Sequence, residues 1–190
     1  MYKFKKYFKS LNTRSGVGHK NMDIKLRQYI DSLDEDVLRL QVIDMYRIFP
    51  EVKKYYDLKI NPDLEKKLLD QYKMLIKKKF FFHKGKVKVK YSDISKIIRE
   101  FNDKATMPDN VVELMLYYID LGIELANTYG MVEEEFYINI EATFVKALKH
   151  IFRYDLKDIF KDKVKNIVES ISITQGDFKD SMSNILFSYY

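Results

Sequence analysis

Apolar residues recur every three to four positions along most of the chain, which is the period of an amphipathic helix. "MDIKLRQYIDSL", from residue 22, is the first such segment. "SLDEDVLRLQVIDMYRIF" is the next: Ser32 or Asp34 suits the cap, and acids fill the first turn. Val37, Leu38, Leu40, Val42, Met45, Ile48 and Phe49 give it a broad apolar face. Pro50 ends that helix and suits the first position of a short one, "PEVKKYYDLKI". "NPDLEKKLLDQYKMLIKKKFF" starts with Asn61 as cap and Pro62 behind it, with Asp63 and Glu65 in the first turn. Leu64, Leu68, Tyr72 and Leu75 or Ile76 keep helical spacing up to Phe80. Lys77, Lys78 and Lys79 fall in the last turn, where the helix dipole favours positive charge.

"KVKVKYS" breaks the period. Val87, Val89 and Tyr91 alternate with lysines as in a strand, yet no second strand is evident, so the segment reads as an extended linker. Helices resume at Ser92–Asp93, up to about Lys104, with Ile94, Ile97, Ile98 and Phe101 on one face. Pro108 and Asp109 open the most apolar segment, which runs to a stop at Gly130. Its polar residues Glu113, Asp120, Glu124 and Asn127 form a narrow stripe that reads as solvated, so the helix is expected to be central. Segments 133–153, 155–173 and 177–189 follow in the same period. The expected class is all-α: about eight helices in antiparallel hairpins, as a bundle or short superhelix. Residues 1–21 read as a basic leader, weakly ordered or an extension ahead of an internal start at Met22, and 22–190 as one helical domain.

Composition adds limits. The chain has 190 residues, 46% of them hydrophobic, which is enough for a real core. Tyr (15) and Phe (13) supply every aromatic side chain. There is no cysteine, which excludes disulfides, thiolate metal sites and a thiol nucleophile, and fits a reducing bacterial cytoplasm. The longest apolar run, 111–126, is broken by Glu113, Asp120 and Glu124, so no transmembrane segment is expected.

The net charge of +6 belongs to residues 1–21, which hold six basic residues and no acid; the remaining chain is balanced. Within that balance, residues 71–92 carry eight lysines and no acid, and residues 101–145 carry nine acids and one lysine. The two regions either face one another, solvate separate surfaces, or steer a partner.

"IFPEVKKYYDLKINPD", "QYKMLIKKKFF", "ELMLYYIDLGIELANTYG", "EEEFYINIEATFVKALKHI" and "GDFKDSMSNILFSYY", in that order, carry a resemblance. The chain resembles a family of small bacterial all-helical proteins that is itself a domain of unknown function, over about Met22 to Tyr190. The resemblance implies an all-α fold and no assigned activity. The family pattern has a proline after the paired phenylalanines, where this chain has His83.

No catalytic, cofactor or metal motif stands out. His19, His83 and His150 are far apart, and none follows a Glu at the spacing used by helical di-metal sites. Glu133, Glu134 and Glu135 suit a helix start. Gly85-Lys86 lacks the first glycine of a phosphate loop, and no Gly-x-Ser-x-Gly occurs. Two surfaces remain as candidates. Lys77, Lys78, Lys79, Lys84, Lys86, Lys88 and Lys90 could neutralise phosphates, beside the stackable rings Phe80, Phe81, Phe82 and Tyr91. Tyr55, Tyr56 and Tyr117 could face a protein partner. The expected function is a non-enzymatic helical interaction or scaffold protein of the bacterial cytoplasm with an unknown protein partner. The alternative is a nucleic-acid-associated protein, in a regulatory or defence setting, that uses the lysine segment.

Overall fold

The computed structural model describes residues 20–83, 86–130 and 133–190. Among them are nine α-helices, one two-stranded hairpin and one short 3-10 turn, so the class is all-α with a small β ornament. The basic leader lies outside the described residues, apart from its last two positions. The chain divides into two compact units between Lys53 and Lys54.

The first unit holds α1 (Lys20–Asp31), α2 (Glu35–Ile48) and the start of α3 (Pro50–Ile60). Asp34 caps α2, its Oδ1 accepting from the Val37 N–H at 3.0 Å. Ser32, the other cap candidate, instead donates to the Tyr29 carbonyl and finishes α1. Gln41 Nε2 donates to the Tyr29 hydroxyl at 2.8 Å and ties α2 to α1. Although its apolar face is broad, α2 has no buried residue. Leu40 stays 62% exposed and Ile48 67%.

The second unit is built on α4 (Pro62–Lys77), α5 (Tyr91–Lys104), α6 (Pro108–Tyr129), α7 (Glu134–Arg153), α8 (Lys157–Glu169) and α9 (Gly176–Phe187). α6 is central, as its composition suggested. It buries ten residues and packs against α4, α5, α7 and α8. A Cβ on Gly122 would stand 2.6 Å from Ile140 Cδ1 and 3.2 Å from Phe136 Cζ, so the missing side chain is what lets α7 lie close on α6. Gly130 ends α6 at φ 79°, a conformation that favours glycine. In the last turn before it, the Asn127 side chain donates to the Ser170 carbonyl at 2.7 Å and accepts from the Ser172 N–H at 2.9 Å. That clasp holds the end of α6 to the exit of α8.

The extended linker expected at 86–91 is a strand with a partner. β1 (Phe80–His83) pairs antiparallel with β2 (Lys86–Val89), in the register Phe80 opposite Val89 and Phe81 opposite Lys88. The partner was hidden because the three phenylalanines continue the lysine-rich end of α4 and read as its last turn. Instead the helix stops at Lys77, and the Lys90 N–H donates to the Lys79 carbonyl at 3.2 Å to close the hairpin base. Phe80 and Val89 are half-buried against the core.

Asn61 stands at the start of α4 but makes no side-chain capping bond. The more consequential residue of that first turn is Glu65, which is completely buried. Its carboxylate accepts from the Thr106 N–H (2.9 Å), the Thr106 hydroxyl, the Met107 N–H (3.0 Å) and Asn110 Nδ2 (2.9 Å). Four donors match the lone-pair sites of a carboxylate, which also suits the positive end of α6. Met107, the residue at the cap position, has no acceptor of its own to offer. Glu65→Ala would leave these buried donors without a partner. It is expected to cost about 3 kcal/mol or more in urea unfolding, whereas Glu65→Gln, which keeps an acceptor, should cost less.

Candidate functional site

The lysine segment does not form one uniform surface. Lys77 and Lys78 are exposed at the end of α4, and Lys90 is exposed after β2. Lys79 is half-buried and paired with Asp93 at 2.9 Å. The hydrogen bond and charge of Lys79 hold the Asp93 carboxyl below its usual range. Lys86 and Lys88 belong to β2, and Lys84 lies outside the described residues.

The base of the hairpin rests on aromatic packing. The Phe80 ring lies 5.8 Å from the buried Tyr118 ring. Burial, then the charges of Glu135 and Glu133, push the Tyr91 phenol up to about 12. Burial raises Tyr118 further still. Both phenols are therefore protonated donors at neutral pH. The acidic start of α7 lies near enough to the return of the hairpin for its charge to be felt at Tyr91. Among the described residues of this segment, the direct lysine–carboxylate pairing is that of Lys79 with Asp93.

The same pairing recurs at Glu113, which the sequence pattern placed on a solvated stripe. Glu113 is half-buried instead, with Lys73 of α4 at 3.3 Å and Lys163 of α8 at 2.6 Å. Burial alone would raise its carboxyl. The hydrogen bonds and charges of Lys163 and Lys73 outweigh that and bring it below the usual glutamate range. A carboxylate held by two ammonium groups is a weak base, so this cluster is a clip across three helices and not a catalytic acid–base pair. Asp120 and Glu124, the rest of the stripe, are exposed as expected.

Tyr117 lies half-buried against the core, with the Lys73 ammonium 5.6 Å from its ring centre. It serves the clip more than an outer surface. Tyr55 and Tyr56 stand together on α3 as an edge-to-face pair, 5.3 Å between ring centres. Tyr55 is 39% exposed and accepts from Lys59 Nζ at 3.3 Å.

Two features escaped the sequence reading. One is a cavity of about 740 Å³ where the start of α7 meets the turn before α9, lined among others by Glu134, Glu141, Asp177, Tyr137 and Phe178. The amide N and O atoms of Gln175, on its wall, are buried and have no hydrogen-bond partner. Carboxylates beside aromatic rings suit a cation. Among the described residues, however, no three acidic or histidine side chains converge as metal ligands. No spacing in the chain signals this cavity, because Asp177 and Phe178 arrive from a helix some forty residues downstream of Glu134. The other feature is the exposure of most apolar side chains on α1 and α2.

Residues 21–186 match a described family of unknown function, DUF6155. The chain belongs to that family. The DUF6155 match starts at the second residue of α1 and runs to the last turn of α9, so it includes residues of both units. No curated protein and no solved structure matches the chain. No described helix of this DUF6155 member is long and apolar enough to cross a membrane.

The depressed Glu113 carboxyl has a consequence for acid stability. Its contribution is present above the usual glutamate pKa of about 4.3 and is lost as pH falls through the lower folded-state value. Urea midpoints of the wild type and Glu113→Gln should therefore differ most near neutral pH. The two should converge as pH drops below about 4.

Proposed function

We propose that this DUF6155 chain is a non-enzymatic helical interaction protein of the bacterial cytoplasm that docks a protein through α1 and α2. The observation that carries the reading is the absence of any buried residue in α2, although Val37, Leu40, Ile43, Met45 and Ile48 line it. Apolar surface of this kind on a water-facing helix marks an interaction site. The pair lacks the basic belt that a lipid or phosphate surface would require. α1 has three basic and two acidic residues, and α2 has two basic and three acidic. The absence of cysteine is consistent with a reducing compartment.

A nucleic-acid role is the second reading. It is favoured by the exposure of Lys77, Lys78 and Lys90 around one hairpin, with Lys84, Lys86 and Lys88 between them in sequence. The ion pair of Lys79 with Asp93 removes one lysine from that surface.

Cross-linked affinity capture from a host extract separates the two. The tagged chain should retain a protein that is lost with Leu40→Asp/Ile43→Asp. The same protein should be kept by Lys84→Glu/Lys86→Glu/Lys88→Glu/Lys90→Glu. Nuclease-sensitive retention with the opposite pattern would move the reading to nucleic acid.

A further inference from the structure

Building on the reading of α1–α2 as a docking surface, we propose that its occupant is a second copy of this chain. Two such helix pairs close about a two-fold axis into a four-helix bundle.

The first argument is incompleteness. α1 and α2 have 12 and 14 residues, lengths at which isolated helices are marginal in water. Three residues join them, and a hydrogen bond from Gln41 to Tyr29 runs between them. That bond is solvent-exposed, so its contribution is small. A pair of short amphipathic helices without a core needs a second layer, and the simplest closed arrangement doubles it.

The second argument is area. Nine large apolar side chains on the two helices remain 37–67% exposed. Together they offer on the order of the ~800 Å² that one side of a standard interface buries. They are spread along both helices, roughly 18 and 21 Å in length.

The third argument is charge. α1 carries a formal +1 and α2 a formal −1. Arg39 is paired within α2 to Glu35 at 2.6 Å and to Asp36 at 3.2 Å, and Arg47 lies 3.8 Å from Asp44. A two-fold axis that sets α1 of one copy against α2 of the other opposes charges of unlike sign. It brings no unpaired arginine of α2 into the seam. An isologous contact must be complementary to itself, and this surface meets that requirement. A strongly basic or acidic partner would find no charge here to recognise.

Sedimentation equilibrium of the full chain is the test. The mass should rise with concentration toward twice the 22.8 kDa chain mass. Leu40→Asp/Ile43→Asp should weaken the association by about 30-fold or more and return the monomer mass, with the helical circular dichroism largely kept. Because the chain has no cysteine, one introduced thiol reports contact directly. Ile43→Cys should form a disulfide-linked dimer under mild oxidation. Lys165→Cys, at an exposed position on α8, should not.

A wild type that stays monomeric at every concentration, with no linkage through Ile43→Cys, overturns the second-copy proposal. So does a dimer that survives Leu40→Asp/Ile43→Asp, since it would use another face. The docking reading fails separately. If the monomer still captures a protein that Leu40→Asp/Ile43→Asp loses, the surface is a docking site and only its occupant was misassigned.

Discussion

The body of this protein depends on one buried carboxylate. Glu65 leaves the first turn of α4 and takes four hydrogen bonds from the turn that starts α6, 41 to 45 residues later. Isolated burial of such a group would be prohibitive; complete satisfaction makes it tolerable and directional. Apolar contacts alone would allow α4 to slide along α6. The geometry of the Thr106, Met107 and Asn110 donors admits one position. Every helix that packs on α6 inherits that placement.

Around this anchor the other polar contacts act as fasteners. Glu113 joins α6 to α4 and α8 through two lysines. Asn127 holds the far end of α6 to the segment beyond α8. Both side chains come from the most apolar helix of the chain, where each polar residue is conspicuous against its neighbours. Polar groups on such a helix either reach water or meet a partner, and here the helix uses both solutions. At Glu113 the two lysines that hold the carboxylate also lower its basicity.

Much of the helical layout was legible in the sequence because it is local. Pro50, Pro62, Pro108 and Gly130 punctuate the chain, and the helix boundaries follow them closely. The apolar spacing also identified α6 as central. What failed required knowledge of partners distant in sequence. Leu64 fits the apolar spacing of α4 yet is 39% exposed, whereas its neighbour Glu65 is fully buried. Only the donors at Thr106 and Asn110 reverse those roles. β2 was visible as a strand pattern, but its partner β1 was disguised as the end of a helix. The candidate surfaces fared likewise. Exposure of Lys77, Lys78 and Lys90 was foreseeable, but the pairing of Lys79 with Asp93 and of Lys73 with Glu113 was not. For α2 the spacing showed that the helix was amphipathic. It did not show whether the apolar side would be covered.

The contrast between α6 and α2 implies very different rates of backbone opening. Amides of α6 are sheathed on several sides by other elements, so their hydrogens should exchange with solvent only when the whole body unfolds. Those of α2 are protected by the helix itself and by little else. In a lone copy they would exchange early, and a protease would find its first cut there. Anything that seats on α2 would slow both processes. The exchange rate of roughly one short helix thus becomes a gauge of whether this protein is alone or accompanied.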